Sequence, residues 1–114
     1  MPFIGTRVNI VLDEDKRERL KNRWDQAITL LPGKSPQWLM AGFEDGVSLS
    51  FQGDHQSPAA FVEVKVFGAV DAAASDRLTA AITQALQEEC GIAANRVYIA
   101  YEGIENWGWN GHNF

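Results

Sequence analysis

The sequence contains the same pattern twice. When the chain is slid against itself by 58 residues without a gap, ten of the 56 facing pairs are identical. They are Phe3/Phe61, Val8/Val66, Asp13/Asp71, Arg19/Arg77, Leu20/Leu78, Gln26/Gln84, Ala27/Ala85, Gly33/Gly91, Glu44/Glu102 and Gly53/Gly111. Amino-acid usage alone would give roughly three or four. The matches pair acidic residue with acidic residue ahead of a helical pattern, apolar stripe with apolar stripe, and glycine stop with glycine stop. A repeat of this length reads as one supersecondary unit used twice, so we expect one domain spanning 1–114 with pseudo-repeats of about 1–56 and 59–114.

Each unit carries one helical pattern between strand-like runs. From Glu14 to Leu31 the apolar residues Leu20, Trp24, Ala27, Ile28 and Leu31 form a single stripe, with Asp13 as N-cap and Pro32-Gly33 as stop. The second helix is expected from about Asp71 to Cys90, burying Leu78, Ile82, Ala85 and Leu86 and ending at Gly91. Strands are expected in FIGTRVNIV, WLMAGF, FVEVKVF and VYIAY, with a short piece in SLSF. Two β-α-β units with right-handed crossovers place both helices on one face of a four-stranded mixed sheet, an α/β (α+β) fold. On this reading the second face keeps Phe- and Val-rich strands, which calls for a closed homo-oligomer to cover it.

The composition narrows the function. At 46% hydrophobic residues and 12 aromatics, four of them Trp, the chain can build a core, and its net charge is -5. That balance argues against nucleic acid and against an anionic membrane surface, since both need clustered Lys and Arg. The lone Cys90 excludes an internal disulfide and a Cys-x-x-Cys site. No basic start with an apolar run, and no stretch of spanning length, is present. A cytoplasmic protein is expected, with secretion by a route that needs no signal peptide left open. His55 and His112 lack metal-ligand spacing, and neither a G-x-S-x-G nor a phosphate-cradling glycine loop occurs.

The differences between the repeats are more informative than the matches. Pro2 faces Ala60, and Lys34 faces Ile92. Proline has no amide N–H inside a chain, but as a free N-terminus it supplies a secondary amine, which removal of Met1 would expose. Lys34 lies in GKSPQW, just past a helix end. The segment ENWGWNGHNF holds two Trp and a Phe, and suits an aromatic wall or packing against another copy.

Four motifs together resemble the tautomerase superfamily, in its macrophage migration inhibitory factor and D-dopachrome tautomerase branch. They are Met-Pro-Phe-Ile at the start, Gly-Lys-Ser-Pro-Gln-Trp after the first helix, Arg-Val-Tyr-Ile-Ala-Tyr, and Asn-Trp-Gly-Trp-Asn-Gly-His-Asn-Phe. The resemblance implies a homotrimer with a central barrel and sites between subunits. It implies keto–enol tautomerisation of phenylpyruvate-like 2-oxo acids, with no metal or cofactor. By position, it implies that Pro2 is the base and Lys34 holds the substrate carboxylate. It implies that Phe3, Trp38 and Phe67 line the pocket, that the backbone of Val66 touches substrate, and that Tyr98 comes from the neighbouring subunit. Trp107, Trp109 and Phe114 would form the wall. Ala100 stands where the vertebrate cytokine has an asparagine, Lys65 where it has a histidine, and Ala59 and Val62 replace its Cys-x-x-Cys pair. A thiol oxidoreductase activity is therefore not expected.

Such chemistry needs a base between carbon and oxygen. An ordinary α-amine titrates at roughly 7.7–8.0. Burial among Phe3, Trp38 and Trp107, with the like charge of Lys34, would lower it toward a useful range. Two other readings remain at this stage. One is a dehalogenase- or decarboxylase-like member of the same superfamily. The other is a non-catalytic, cytokine-like protein with a receptor partner if exported.

Overall fold

The computed structural model describes residues Met1–Phe114. Four strands form one sheet in the order β2-β1-β3-β4: β1 Pro2–Val8, β2 Met40–Glu44, β3 Ala60–Phe67 and β4 Val97–Ile104. β1 pairs parallel with β2, β3 parallel with β4, and β1 antiparallel with β3. Helices α1 Glu14–Ala27 and α2 Ala72–Cys90 both cover one face of this mixed sheet. No helix is long and apolar enough to cross a membrane.

The two ladders have one register displaced by 58 residues. Phe3 faces Met40 as Phe61 faces Tyr98, and Arg7 faces Glu44 as Lys65 faces Glu102. In the central ladder Gly5 faces Glu63, so residues that correspond in the two halves meet on a local twofold. The caps match as well. Asp13 accepts from the Lys16 N–H and Asp71 from the Ala74 N–H, both at 2.8 Å. Gly33 and Gly91 follow the helical segments at φ +74° and +67°, where an L side chain would be strained.

The core lies between sheet and helices. Ile4, Val8, Val62, Val64 and Val66 come from the sheet, and Leu20, Trp24, Leu78, Ile82 and Leu86 from the helices. The α-helical part of the first helix stops at Ala27 rather than running to Leu31. Ile28–Leu30 tightens into a 3-10 turn, a common way to satisfy the last carbonyls. SLSF forms no sheet strand; Phe51 bridges only Asp54. Its backbone is drawn elsewhere, because the Arg96 guanidinium takes the carbonyls of Phe51, Asp54, Ser57 and Pro58 at 3.0–3.2 Å.

The uncovered face differs from the Phe- and Val-rich surface expected. Alternation turns Val62, Val64 and Val66 toward the helices, leaving Phe61, Glu63, Lys65 and Phe67 outside. Across the middle of that face Arg7 pairs with Glu63 at 3.0 Å and Glu44 at 3.6 Å, and Lys65 lies 4.0 Å from Glu63 and Glu102. The large exposed apolar residues sit mostly at the sheet's edges and ends: Met40, Tyr98, Trp38, Trp109 and Phe114.

Candidate functional site

Pro2 begins β1, buried, opposite Val66 of the antiparallel partner. One residue beyond, the Phe67 N–H donates to the Met1 carbonyl at 3.1 Å. The Phe67 carbonyl accepts from Lys34 Nζ at 3.0 Å. The start of the chain, the Phe67 peptide and the Lys34 ammonium therefore meet at one end of the sheet. The left-handed turn at Gly33 makes this reachable: it ends the helical segment and leaves Lys34, half-buried, pointing back over β3. Lys34 has no carboxylate within ion-pair distance. Val66 and Lys34 share a small cleft with Leu31, Pro32 and Val70.

The electrostatics of this end suit a neutral amine. Burial, and secondly the Lys34 charge, push the Met1 α-amine below the ordinary range. Both causes would act on an amine placed one residue further along.

Aromatic side chains enclose the same end. Phe67 and Phe114 lie 5.5 Å apart, Phe114 and Trp109 6.4 Å, and Trp109 meets Trp38 edge-on at 5.1 Å. Trp38 comes from a 3-10 turn, Pro36–Trp38. Phe67 ends β3, Trp109 lies in a two-stranded hairpin, β5 Gly108–Trp109 with β6 His112–Asn113, and Phe114 follows β6. The hairpin closes through the Phe114 N–H to the Trp107 carbonyl at 3.0 Å. Its turn residues Asn110 and Gly111 have φ +55° and +91°. An Asn-Gly pair is a hairpin signal that can be read from the sequence, although the sequence reading gives this segment as an aromatic wall or as packing against another copy, without a hairpin.

The structure thus brings Pro2, Lys34, Val66, Phe67, Trp38, Trp107, Trp109 and Phe114 to one end. Phe3 lies on the uncovered face, its ring over Gly5 and Gly42. Tyr98 is not part of the cluster. It meets Phe51 at 4.9 Å and lines a cavity of about 150 Å³ with Phe61, Ala59 and Arg96. Tyr98 faces Phe61 on β3, and Phe61 is five strand residues, roughly 17 Å, from Val66. No amine or free cation lines that cavity, because the Arg96 guanidinium is spent on four backbone carbonyls. The sequence reading names the backbone of Val66 and the residue Phe67; the Phe67 N–H, which meets the Met1 carbonyl, is a further donor it does not name. Only the β1–β3 register shows which peptide follows the chain start. His55 and His112 are exposed. No group of three or more His, Cys, Asp or Glu is placed to hold a metal ion.

The family model for macrophage migration inhibitory factor (MIF) matches residues 1–114. Among solved structures the chain is similar to MIF2 of Leishmania major, at 37% identity and a TM-score of 0.94, over 100% of this chain and 97% of that one. It is similar to the macrophage migration inhibitory factor homologue of Prochlorococcus marinus at 26% identity and a TM-score of 0.83, over 98% of both chains. A more distant neighbour is Pt0534 inactivated by 2-oxo-3-pentynoate, at 18% identity and a TM-score of 0.85, over 96% of this chain and 93% of that one. A comparison with curated proteins gave no match.

Proposed function

Because the chain belongs to the macrophage migration inhibitory factor family of the tautomerase superfamily, we propose that it is a keto–enol tautomerase, an isomerase, of phenylpyruvate-like aromatic 2-oxo acids. Its base is the Pro2 nitrogen, set free by removal of Met1. The observation that carries this reading is the junction of Lys34 Nζ, the Phe67 peptide and the chain start beneath the aromatic hairpin.

Removal of Met1 has two effects at that junction. It turns the Pro2 nitrogen from an amide into a basic secondary amine, and it removes the carbonyl that occupies the Phe67 N–H. The site then offers a base, a free N–H donor and an ammonium. Lys34 has three N–H donors and spends one on the Phe67 carbonyl, so two can meet a carboxylate. Neutral Pro2 takes a proton from the carbon next to the ketone, and the electron pair left behind forms the enolate. The proton then passes to the enolate oxygen, giving the enol. The reverse path returns it to carbon. Phe67, Trp109, Phe114 and Trp38 suit the substrate ring.

The working unit is a homotrimer of single 1–114 domains. Tyr98, roughly 17 Å along the sheet from this site, can serve it only from a neighbouring copy, and the exposed Met40, Tyr98 and Trp109 are suited to an interface.

The test is phenylpyruvate enol–keto exchange on protein shown by intact mass to lack Met1. 2-Oxo-3-pentynoate, which inactivated Pt0534, supplies a second arm. Its activated alkyne should add to a neutral Pro2 amine, forming one N–C bond as the amine proton passes to carbon. Turnover with a single adduct on the Pro2 peptide is expected. Absence of exchange in Met1-free, folded protein would overturn the reading.

A further inference from the structure

Phe3 has an unusual seat. Its ring leans forward along β1 over Gly5 and across to β2 over Gly42, which face each other in the ladder. A Cβ added at Gly5 would stand 2.9 Å from Cε2 and 3.1 Å from Cζ of that ring. One added at Gly42 would stand 3.6 Å from Cε1 and 3.7 Å from Cζ. Two glycines side by side leave a bare patch on the sheet, and the far edge of the Phe3 ring fills it. Neither glycine is required there by a positive φ; what each supplies is missing volume.

The second repeat shows that this is no general feature of the fold. Phe61 corresponds to Phe3, but Glu63 and Ala100 stand where Gly5 and Gly42 do, so both equivalent positions carry a side chain. The bare patch exists only in the half that begins with Pro2.

The start of β1 needs such an anchor. Pro2 donates no ladder hydrogen bond, and it is in register with β3 alone, because pairing with β2 begins at Phe3. The Phe3 ring is the first side chain of β1 on the uncovered face. We propose that the Phe3 ring, seated on the Gly5–Gly42 patch, is a positioning clamp that holds the adjacent Pro2 nitrogen toward Lys34 and Phe67. This rests on the tautomerase reading above. It makes Phe3, Gly5 and Gly42 positioning residues, acting through Pro2 rather than on substrate.

Gly5→Ala tests the clamp. The added methyl would stand 2.9 Å from Cε2, so the ring must shift from its seat, while alanine is otherwise at least as well suited to a strand as glycine, so folding should persist. In Met1-free protein the α-protons of Gly42 should lose the ring-current shift that Phe3 imposes. The value of kcat should fall by roughly ten- to a hundredfold, the scale of a small misplacement of a reacting group, with KM little changed. Phe3→Ala should show the same loss. Combining the two should cost no more than Phe3→Ala alone, because the methyl then has no ring to displace. A merely structural role would instead lower the melting temperature and leave the kcat-to-KM split unmoved. The pH midpoint and rate of Pro2 labelling by 2-oxo-3-pentynoate give a readout independent of turnover. A displaced clamp should raise the midpoint toward that of an ordinary α-amine and slow the labelling. If the wild-type protein shows no exchange, the tautomerase reading fails, and the labelling shift still decides whether the ring positions Pro2. Wild-type kcat and wild-type labelling in Gly5→Ala with the ring displaced, or losses that add in the double variant, would overturn the clamp.

Discussion

At the start of β1 the chain has Pro2, Phe3 and Gly5, with Gly42 across the ladder and Lys34 after the glycine stop; at the start of β3 it has Ala60, Phe61, Glu63, Ala100 and Ile92 in the same places. The backbone treats both sets alike. What differs is where the side chains go. Ile92 is fully buried in the core, whereas Lys34 sends its ammonium to the Phe67 carbonyl. Behind the sheet, Thr6 accepts from Trp24 Nε1 at 3.1 Å where the second half has the apolar pair Val64 and Ile82. A repeated plan fixes the positions, and a handful of residue types decides which copy only packs and which, on the proposed reading, reacts.

Substitution at paired positions should separate those roles. The largest contrast lies at the strand starts. Pro2→Gly should cut kcat/KM for phenylpyruvate by roughly a hundredfold or more with the fold intact, since positioning and general-base effects are each worth orders of magnitude. Ala60→Gly should cost about 0.5–1 kcal/mol of stability and leave the catalytic rate alone, as denaturant titration and the exchange assay can check. Comparable rate losses in both would erase the distinction between the halves.

Lys34 and Ile92 come next. Lys34→Ala should lower kcat/KM on the acid by roughly ten- to over a hundredfold, the equivalent of about 1.5–3 kcal/mol for a charge-assisted bond. The methyl ester should lose far less. Ile92→Ala should cost about 2–5 kcal/mol of stability with kcat/KM unchanged. Equal losses on acid and ester would remove Lys34 as the carboxylate partner.

The Thr6–Trp24 pair gives a smaller effect. Thr6→Val copies Val64 but leaves the buried Trp24 N–H without an acceptor, at a cost of about 1–3 kcal/mol. The converse Val64→Thr places a hydroxyl in an apolar site, at a comparable cost. Urea midpoints should fall in both, with activity retained.

The smallest effect concerns the connector between the halves. The hydroxyl and N–H of Ser57, then the Gln56 N–H, hold the Asp54 carboxyl well below the usual carboxylate range, with Arg96 adding to them. A carboxylate so held contributes stability at pH values above its unfolded pKa. That contribution fades as pH falls through the unfolded value and toward the lower folded one. Asp54→Asn should be slightly less stable than wild type at neutral pH, and the gap should narrow in acid. A gap that widens in acid would contradict this.

Much of this was readable from the residues. Short-range chemistry announces itself: Asp13 and Asp71 cap, Gly33 and Gly91 stop, and the apolar stripes face the core. What was not readable depends on register or on long side chains meeting across the chain. The polar uncovered face follows from which side Val62 takes, and Arg96 drawing in four carbonyls requires the connector to be folded first. The Phe67 N–H is placed by the β1–β3 pairing, and the Phe3 seat by two glycines 37 positions apart in sequence that meet only in the ladder.

On the proposed reading, the half beginning with Pro2 reacts because its nitrogen is a free, partly desolvated amine. The most direct test is the pH dependence of phenylpyruvate enol–keto exchange, measured side by side on Met1-free protein and on protein retaining Met1. A base acts in its neutral form, so the rate of Met1-free protein should rise with pH through one ionisation below the ordinary α-amine range. The same burial and Lys34 charge already lower the Met1 amine. That limb should move to higher pH in Lys34→Ala, and Met1-retaining protein should be nearly inactive. Equal rates from the two forms, or a rate without that ionisation, would contradict the account.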